Sequence, residues 1–136
     1  MSNSRPTLDQ RRAQHAWQAV ESARALNDNA KKDFAREAKR LPVRIKTASL
    51  GQALAFLAAK AKGEDARNLL LVKLGDWLLV QRELASRSDG VIAQNSLIQA
   101  IINGDADLLR RATEEALWYL QWLTRFSEAG FGTGED

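Results

Sequence analysis

Residues that could perform acid–base or nucleophilic chemistry are few and isolated in this sequence. The chain has one histidine, His15, and no cysteine. A cysteine nucleophile, a thiolate metal site and a disulfide are therefore excluded, and no serine–histidine–aspartate set has a recognisable spacing. A glycine-rich phosphate-binding loop is also absent. The pattern favours a protein that binds over one that catalyses, and we predict no enzymatic activity and no cofactor.

Four carboxylates, Asp105, Asp107, Glu114 and Glu115, are the only dense acidic group that could serve a hydrolytic metal site. Asp105 and Asp107 lie at the start of a predicted helix, where acidic side chains interact favourably with the helix dipole. Glu114 and Glu115 are consecutive and point about 100° apart on a helix. We therefore predict no metal site.

Basic residues recur at helical spacing in one segment. Between Lys31 and Lys46 there are 7 basic and 2 acidic residues. Such a concentration can form a surface that binds phosphate, and it can equally be an ordinary solvated surface. The residues predicted to contact nucleic acid are Arg36, Lys39, Arg40, Arg44, Lys46, Lys60 and Lys62. No aromatic side chain is interleaved among them, Phe34 lying on the opposite face, so the pattern predicts backbone contacts without base stacking.

The charge pattern leaves two other interpretations open. A basic helical face also fits a protein–protein adaptor that binds an acidic protein partner. In addition, residues 1–75 carry 15 basic and 7 acidic residues, whereas residues 76–136 carry 5 and 10. Halves of opposite charge would favour head-to-tail stacking of copies of this chain.

The apolar pattern predicts an all-α, single-domain bundle of five or six helices, with flexible tails at residues 1–6 and 131–136. Residues Leu41–Lys62 have apolar side chains on two opposite faces, which predicts a central helix buried on most sides. Pro42 disfavours helical geometry at Leu41, so we expect a corner between this helix and one over Ala30–Arg40. Alternatively, the central helix starts near Ser49, which with Gln52 resembles a capping box.

Caps and turn residues delimit the other helices, predicted over about Leu8–Leu26, Ala66–Ala85, Ile92–Ile102 and Ala106–Ala129, with a loop at residues 86–90. Thr7 and Asp105 are the predicted N-caps, and Gly130 should follow the last helix. The N-terminus has no apolar region of a secretory signal, and no apolar run is long enough to span a membrane. Together with the lack of cysteine, this favours a cytoplasmic protein.

Three blocks of the sequence resemble a known family. They are RRAQHAWQAV at Arg11–Val20, AKRLPVRIKTASLGQALAFLAAK at Ala38–Lys60 and ATEEALWYLQWLTRFSEA at Ala112–Ala129. In this order they are similar to the small α-helical subunit of type III-B (Cmr) CRISPR RNA-guided effector complexes. One departure is Ala48-Ser49-Leu50-Gly51, where many members carry Asn-Gly-Leu or Ala-Gly-Leu.

The resemblance implies a non-catalytic role in antiviral defence. In that family, several small subunits stack beside other Cmr subunits and border the channel of the guide-paired target RNA, while other subunits perform cleavage. Guide pairing reads the sequence and protein contacts the RNA backbone, as in other RNA-guided effectors. The best-matched block includes Lys39, Arg40, Arg44 and Lys46, which are therefore the expected RNA contacts.

Overall fold

Six α-helices and one π-helical segment form the part of the chain that the structure describes. This computed structural model describes residues 5–61, 65–85 and 92–132, and these ranges contain no strand. The elements are α1 (Leu8–Ala23), α2 (Asp28–Thr47), α3 (Leu50–Lys60), α4 (Asp65–Gly75), the π-helical segment (Asp76–Gln81), α5 (Ser96–Asn103) and α6 (Ala106–Phe131). The predicted all-α bundle is confirmed. The predicted loop at residues 86–90 and most of both predicted tails lie outside the described residues.

Both predicted N-caps are confirmed. The Thr7 hydroxyl accepts a hydrogen bond from the Gln10 amide at 3.0 Å, and the Gln10 side chain accepts one from the Thr7 amide at 2.7 Å. This reciprocal pair is a capping box, and it satisfies two backbone donors at the start of α1. At the start of α6, the Asp105 carboxylate accepts from the Leu108 amide at 2.8 Å.

The end of α6 differs from the prediction. The helix continues through Gly130 and includes Phe131, which is therefore not part of a tail. Gly132 follows with φ 86°, a left-handed conformation that glycine adopts at little cost. The sequence offers glycine at 130 and at 132, and the second one ends the helix.

The predicted corner at Pro42 is wrong, because α2 continues through this proline to Thr47. Proline has no N–H, so the carbonyl of Ala38 loses its usual donor within the helix. The Thr124 hydroxyl of α6 donates to that carbonyl at 3.1 Å. A side chain from a neighbouring helix thus satisfies the group that proline leaves unpaired, which lowers the cost of proline at this position.

The predicted central helix over Leu41–Lys62 is also wrong. A separate helix, α3, begins at Leu50, and the Ser49 side chain caps it by accepting from the Gln52 amide at 3.1 Å. The alternative start near Ser49 is therefore the correct one. The segment is not enclosed either, since Val43 and Phe56 are exposed.

A buried central helix does exist, and α4 with the π-helical segment forms it. Every residue from Ala66 to Val80 is buried or half-buried, and α4 packs on α1, α2, α3 and α5. Two of its charged residues have partners on neighbouring helices: Arg67 pairs with Glu37, and Asp76 pairs with His15. Because these side chains look solvent-facing in the sequence, the apolar pattern understates how deeply α4 is buried.

Close packing and a change of helical pitch position the end of this central helix. A Cβ atom on Gly75 would lie 3.1 Å from Cγ2 of Ile92, so a residue without a side chain allows Ile92 to pack closely here. Beyond Gly75 the helix widens, and the Arg82 amide donates to the carbonyl of Trp77, five residues earlier, at 2.9 Å. Among the described helices, none is both long and apolar enough to cross a membrane.

The hydrogen bond between Thr124 and the Ala38 carbonyl generates a prediction. Thr124→Val leaves this buried carbonyl without a donor, so we expect the free energy of unfolding to fall by about 1–2 kcal/mol. In a Pro42→Ala background, the N–H of residue 42 can bond to the same carbonyl, so Thr124→Val should then cost less. A double-mutant cycle by urea unfolding measures the difference.

Thr113→Val is the matched control, since within the described ranges the Thr113 hydroxyl bonds only the Leu109 carbonyl of its own helix, at 2.7 Å. It should change the unfolding free energy by less than about 0.5 kcal/mol in either background. An equal cost of Thr124→Val with and without Pro42 would show that the proline does not depend on this hydroxyl.

Candidate nucleic-acid interface

Four cations on α2 and α3 are exposed and form no ion pair with any residue in the described ranges. They are Lys32, Arg40, Lys46 and Lys60. From Lys32 to Lys46 the axis of α2 rises by about 21 Å, at 1.5 Å per residue. We call these four residues the basic face. A further predicted contact, Lys62, lies outside the described residues.

Arg36 and Lys39 also lie on the outer side of α2, but acidic residues accompany them. Arg36 donates to the Asp33 carboxylate at 2.6 Å. The Lys39 ammonium lies 4.0 Å from the Glu128 carboxylate of α6, and 42% of the Lys39 side chain remains exposed. Both residues border the basic face, and their charges are partly compensated.

Arg44 has different surroundings, because it binds a buried carboxylate. Glu37 is 2% exposed. One of its oxygens accepts from Arg44 at 2.7 Å, and the other accepts two hydrogen bonds from Arg67 of α4, at 2.8 and 3.0 Å. Burial alone would raise the pKa of Glu37, but the hydrogen bonds from Arg44 and Arg67 lower it below its usual value. Glu37 therefore stays ionised and compensates the charge of Arg44.

The sequence contains a signal for this pair that the charge pattern hides. Glu37 lies seven residues before Arg44 and falls within the apolar stripe of α2, four residues before Leu41. A carboxylate in an apolar stripe requires a buried cation. The second cation, Arg67, lies thirty residues away, and nothing in the local pattern indicates it.

An exposed aromatic ring lies beside these cations, contrary to the prediction that none is interleaved. Phe56 of α3 is 43% exposed. The guanidinium carbon of Arg44 lies 4.4 Å from the ring centroid, and the Lys60 ammonium lies 5.1 Å from it. Phe56 and Lys60 are four residues apart, which places them on one side of α3, and this spacing is the signal that the sequence offers.

A second buried carboxylate, Glu115 of α6, binds side chains from three other parts of the chain. It is 4% exposed. It accepts hydrogen bonds from Arg12 of α1 at 2.6 and 2.9 Å, from the Trp77 indole at 3.0 Å and from Arg82 at 3.2 Å. Burial raises the pKa of Glu115, but its bonds to Arg12 and Trp77 outweigh this and lower it. Neighbouring Glu114 is exposed, so the two carboxylates do not form one site.

His15 lies in a polar network next to this carboxylate. Its Nε2 is 2.7 Å from the Asp76 carboxylate, and its Nδ1 is 2.7 Å from the Tyr119 hydroxyl. Burial lowers the pKa of His15, and burial raises the pKa of Tyr119. A neutral imidazole therefore donates from Nε2 to Asp76 and accepts at Nδ1 from Tyr119.

The geometry of this network links α1, the π-helical segment and α6. A tyrosine that keeps its proton is a poor nucleophile, and His15 contacts no serine or threonine hydroxyl in these interactions. Within the described ranges, no three histidine, aspartate or glutamate side chains are grouped so that they could hold a metal ion.

Comparisons with known proteins agree with the resemblance found in the sequence. A family model described as CRISPR-associated protein (Cas_Cmr5) matches residues 8–130. Among solved structures, the chain is similar to the X-ray crystal structure of a CRISPR-associated Cmr5 family protein from Thermus thermophilus. The two share 28% sequence identity over 91% of this chain and 97% of that chain, with a TM-score of 0.69.

The buried Glu37 generates a stability prediction. Glu37→Gln leaves the guanidinium groups of Arg44 and Arg67 without a counter-charge, so we expect the unfolding free energy at pH 7 to fall by about 3 kcal/mol or more. The folded-state pKa of Glu37 lies below its usual value of 4.5. Its contribution is therefore complete above about pH 4.5, and protonation removes it as the pH falls through the folded-state pKa.

Urea unfolding at several pH values measures both effects. Glu37→Gln should reduce the pH dependence of stability below about pH 4.5 as well as the stability itself. Glu114→Gln, which changes an exposed carboxylate, is the control and should cost less than about 0.5 kcal/mol. If Glu37→Gln were as stable as that control, Glu37 would not hold α2 and α4 together.

Proposed function

The chain belongs to the Cas_Cmr5 family of CRISPR-associated proteins, the small subunits of the CRISPR Cmr complex, and from this premise we propose how it acts. It is a non-catalytic subunit of a cytoplasmic type III-B effector complex, in contact with other Cmr subunits. It contacts the backbone of guide-paired target RNA through the basic face of α2 and α3.

The proposed RNA contact is supported by one observation: the positive charges of the basic face have no acidic partners in the described ranges. Lys32, Arg40, Lys46 and Lys60 are exposed, and none is within 4.0 Å of an acidic group in the described ranges. Exposed cations without acidic partners attract a polyanion, because phosphate binding releases condensed counterions. Contacts of this kind fix the position of a strand without reading its sequence.

The ion pairs also indicate which of the predicted residues contribute most to phosphate binding. Arg44 is bound by Glu37 and is partly enclosed, so it supports the face and does not lead the phosphate contacts. Lys39 and Arg36 lie next to the face with acidic neighbours, so they contribute less than Arg40 or Lys46. We therefore expect about four phosphate contacts, one for each residue of the basic face.

The basic face generates a binding prediction for the isolated chain. Single-stranded RNA should bind weakly, and log affinity should fall with log salt concentration at a slope of about −3, since each of about four contacts contributes roughly 0.7. Neutralising Arg40, Lys46 and Lys60 together (R40Q/K46Q/K60Q) should make the slope shallower by about 2. Fluorescence anisotropy with a labelled oligouridine at several salt concentrations measures it.

The matched control removes three positive charges elsewhere. R5Q/R110Q/R111Q changes exposed arginines at residue 5 and at the start of α6, and it should leave the slope unchanged. Equal effects of the two triple variants would mean that only net charge matters and that the basic face is not the site. Binding of polyglutamate as tight as that of RNA would instead favour an adaptor for an acidic protein.

Copies of this chain are a further proposed partner. The first half of the chain is basic and the second half is acidic. A contact between unlike surfaces of identical chains is heterologous and produces an open stack, as a subunit repeated along a filament requires.

Sedimentation velocity tests this stacking. The chain should associate at about 0.01 M salt, where charges act over roughly 30 Å, and should be monomeric at about 1 M salt, where they act over roughly 3 Å. A strictly monomeric chain at high protein concentration and low salt would contradict electrostatic self-association.

A further inference from the structure

The aromatic ring of Phe56 lies at the surface, outside the hydrophobic core. It lies on α3 with 43% of its surface exposed, whereas Leu50, Leu54 and Leu57 of the same helix are buried. Exposing an aromatic ring to water forgoes the free energy that its burial would provide. An exposed ring next to a phosphate-binding face is therefore a candidate contact surface.

The two cations beside the ring, Arg44 and Lys60, differ in how freely their side chains can move. Arg44 is held by Glu37 at 2.7 Å, so its guanidinium group stays 4.4 Å from the ring centroid. Lys60 is exposed, and its ammonium lies 5.1 Å from the centroid with no acidic partner in the described ranges. An ammonium on a flexible four-carbon chain can leave the ring for a phosphate, whereas the clamped guanidinium cannot.

We propose that Phe56 is a stacking site for an unpaired base of the RNA strand that the basic face holds, an inference that rests on the proposed function. The base stacks on the exposed ring, Lys60 moves from the ring to the adjacent phosphate, and Arg44 keeps the ring in place. The ligand is a single-stranded nucleotide with any base, because every base has a face that can stack on an aromatic ring.

This site adds to backbone binding a preference for unpaired nucleotides. A base within a duplex stacks on its neighbours and is not available to the ring, whereas an unpaired or displaced base is. Phosphate contacts alone do not make this distinction. The site would therefore hold the chain at positions where target RNA departs from continuous pairing with the guide.

Two oligomers of equal length and charge separate stacking from phosphate contact. One is oligouridine and the other is an abasic ribose-phosphate oligomer, and each is titrated against the full chain. Phe56→Ala should weaken oligouridine binding by about 5- to 100-fold and leave abasic binding unchanged. Phe56→Trp should restore the affinity for oligouridine. The fluorescence of 2-aminopurine placed in the oligouridine should be quenched by the chain with Phe or Trp at position 56 and not by Phe56→Ala.

Val43→Ala is the control, because Val43 is an exposed apolar residue of α2, 62% exposed, without an aromatic face. It should bind both oligomers as the unchanged chain does. Circular dichroism verifies that each variant keeps its helices, which the exposure of Phe56 leads us to expect.

The other outcomes separate this inference from the proposed function. If the unchanged chain binds the two oligomers equally, backbone contact stands and the stacking site is rejected. An equal loss on both oligomers in Phe56→Ala also rejects it, and binding of neither oligomer rejects both proposals. If Phe56→Ala weakens polyglutamate binding as much as oligouridine binding, the ring belongs to a protein interface and the stacking site is again rejected.

Discussion

Two carboxylates inside the bundle, Glu37 and Glu115, are the constraint on which the arrangement of charge depends. A buried ionised group costs several kcal/mol unless cations and hydrogen bonds surround it, and each of these carboxylates receives two arginines. In each pair the two arginines come from different parts of the chain, so each carboxylate ties elements that are distant in sequence. The same pairing decides which basic residues are compensated inside and which are left outside.

The outer surface of α2 keeps its positive charge where a basic side chain has no carboxylate partner. Arg40 and Lys46 share α2 with Arg44, yet Arg44 points to Glu37 and the other two remain exposed. The ion pair between Glu37 and Arg44 has a second effect, since it holds the Arg44 guanidinium against the exposed ring of Phe56. One interior interaction thus links the stability of the α2–α4 contact, the position of the basic face and the presentation of an aromatic ring beside it.

The sequence predicts features that depend on local chemistry. The all-α class, the Thr7 and Asp105 caps and most of α6 follow from spacing and cap residues. The course of α2 through Pro42 could not be predicted, because its compensation comes from Thr124, more than eighty residues away. The depth of α4 was hidden for a similar reason, since Arg67 and Asp76 find partners only in the folded bundle. The exposure of Phe56 depends on where α3 lies, which its apolar pattern does not specify.

The most direct test of the account is to observe which residues RNA touches. A chain of 15.1 kDa is suitable for amide-resolved NMR, and a titration of the labelled protein with single-stranded oligouridine reports every backbone position at once. We predict that the shifting amides cluster on the outer side of α2 and at the Phe56–Lys60 end of α3, with α1 and α6 little changed. Shifts confined to α1 and α6, or no saturable shifts at low salt, would contradict it.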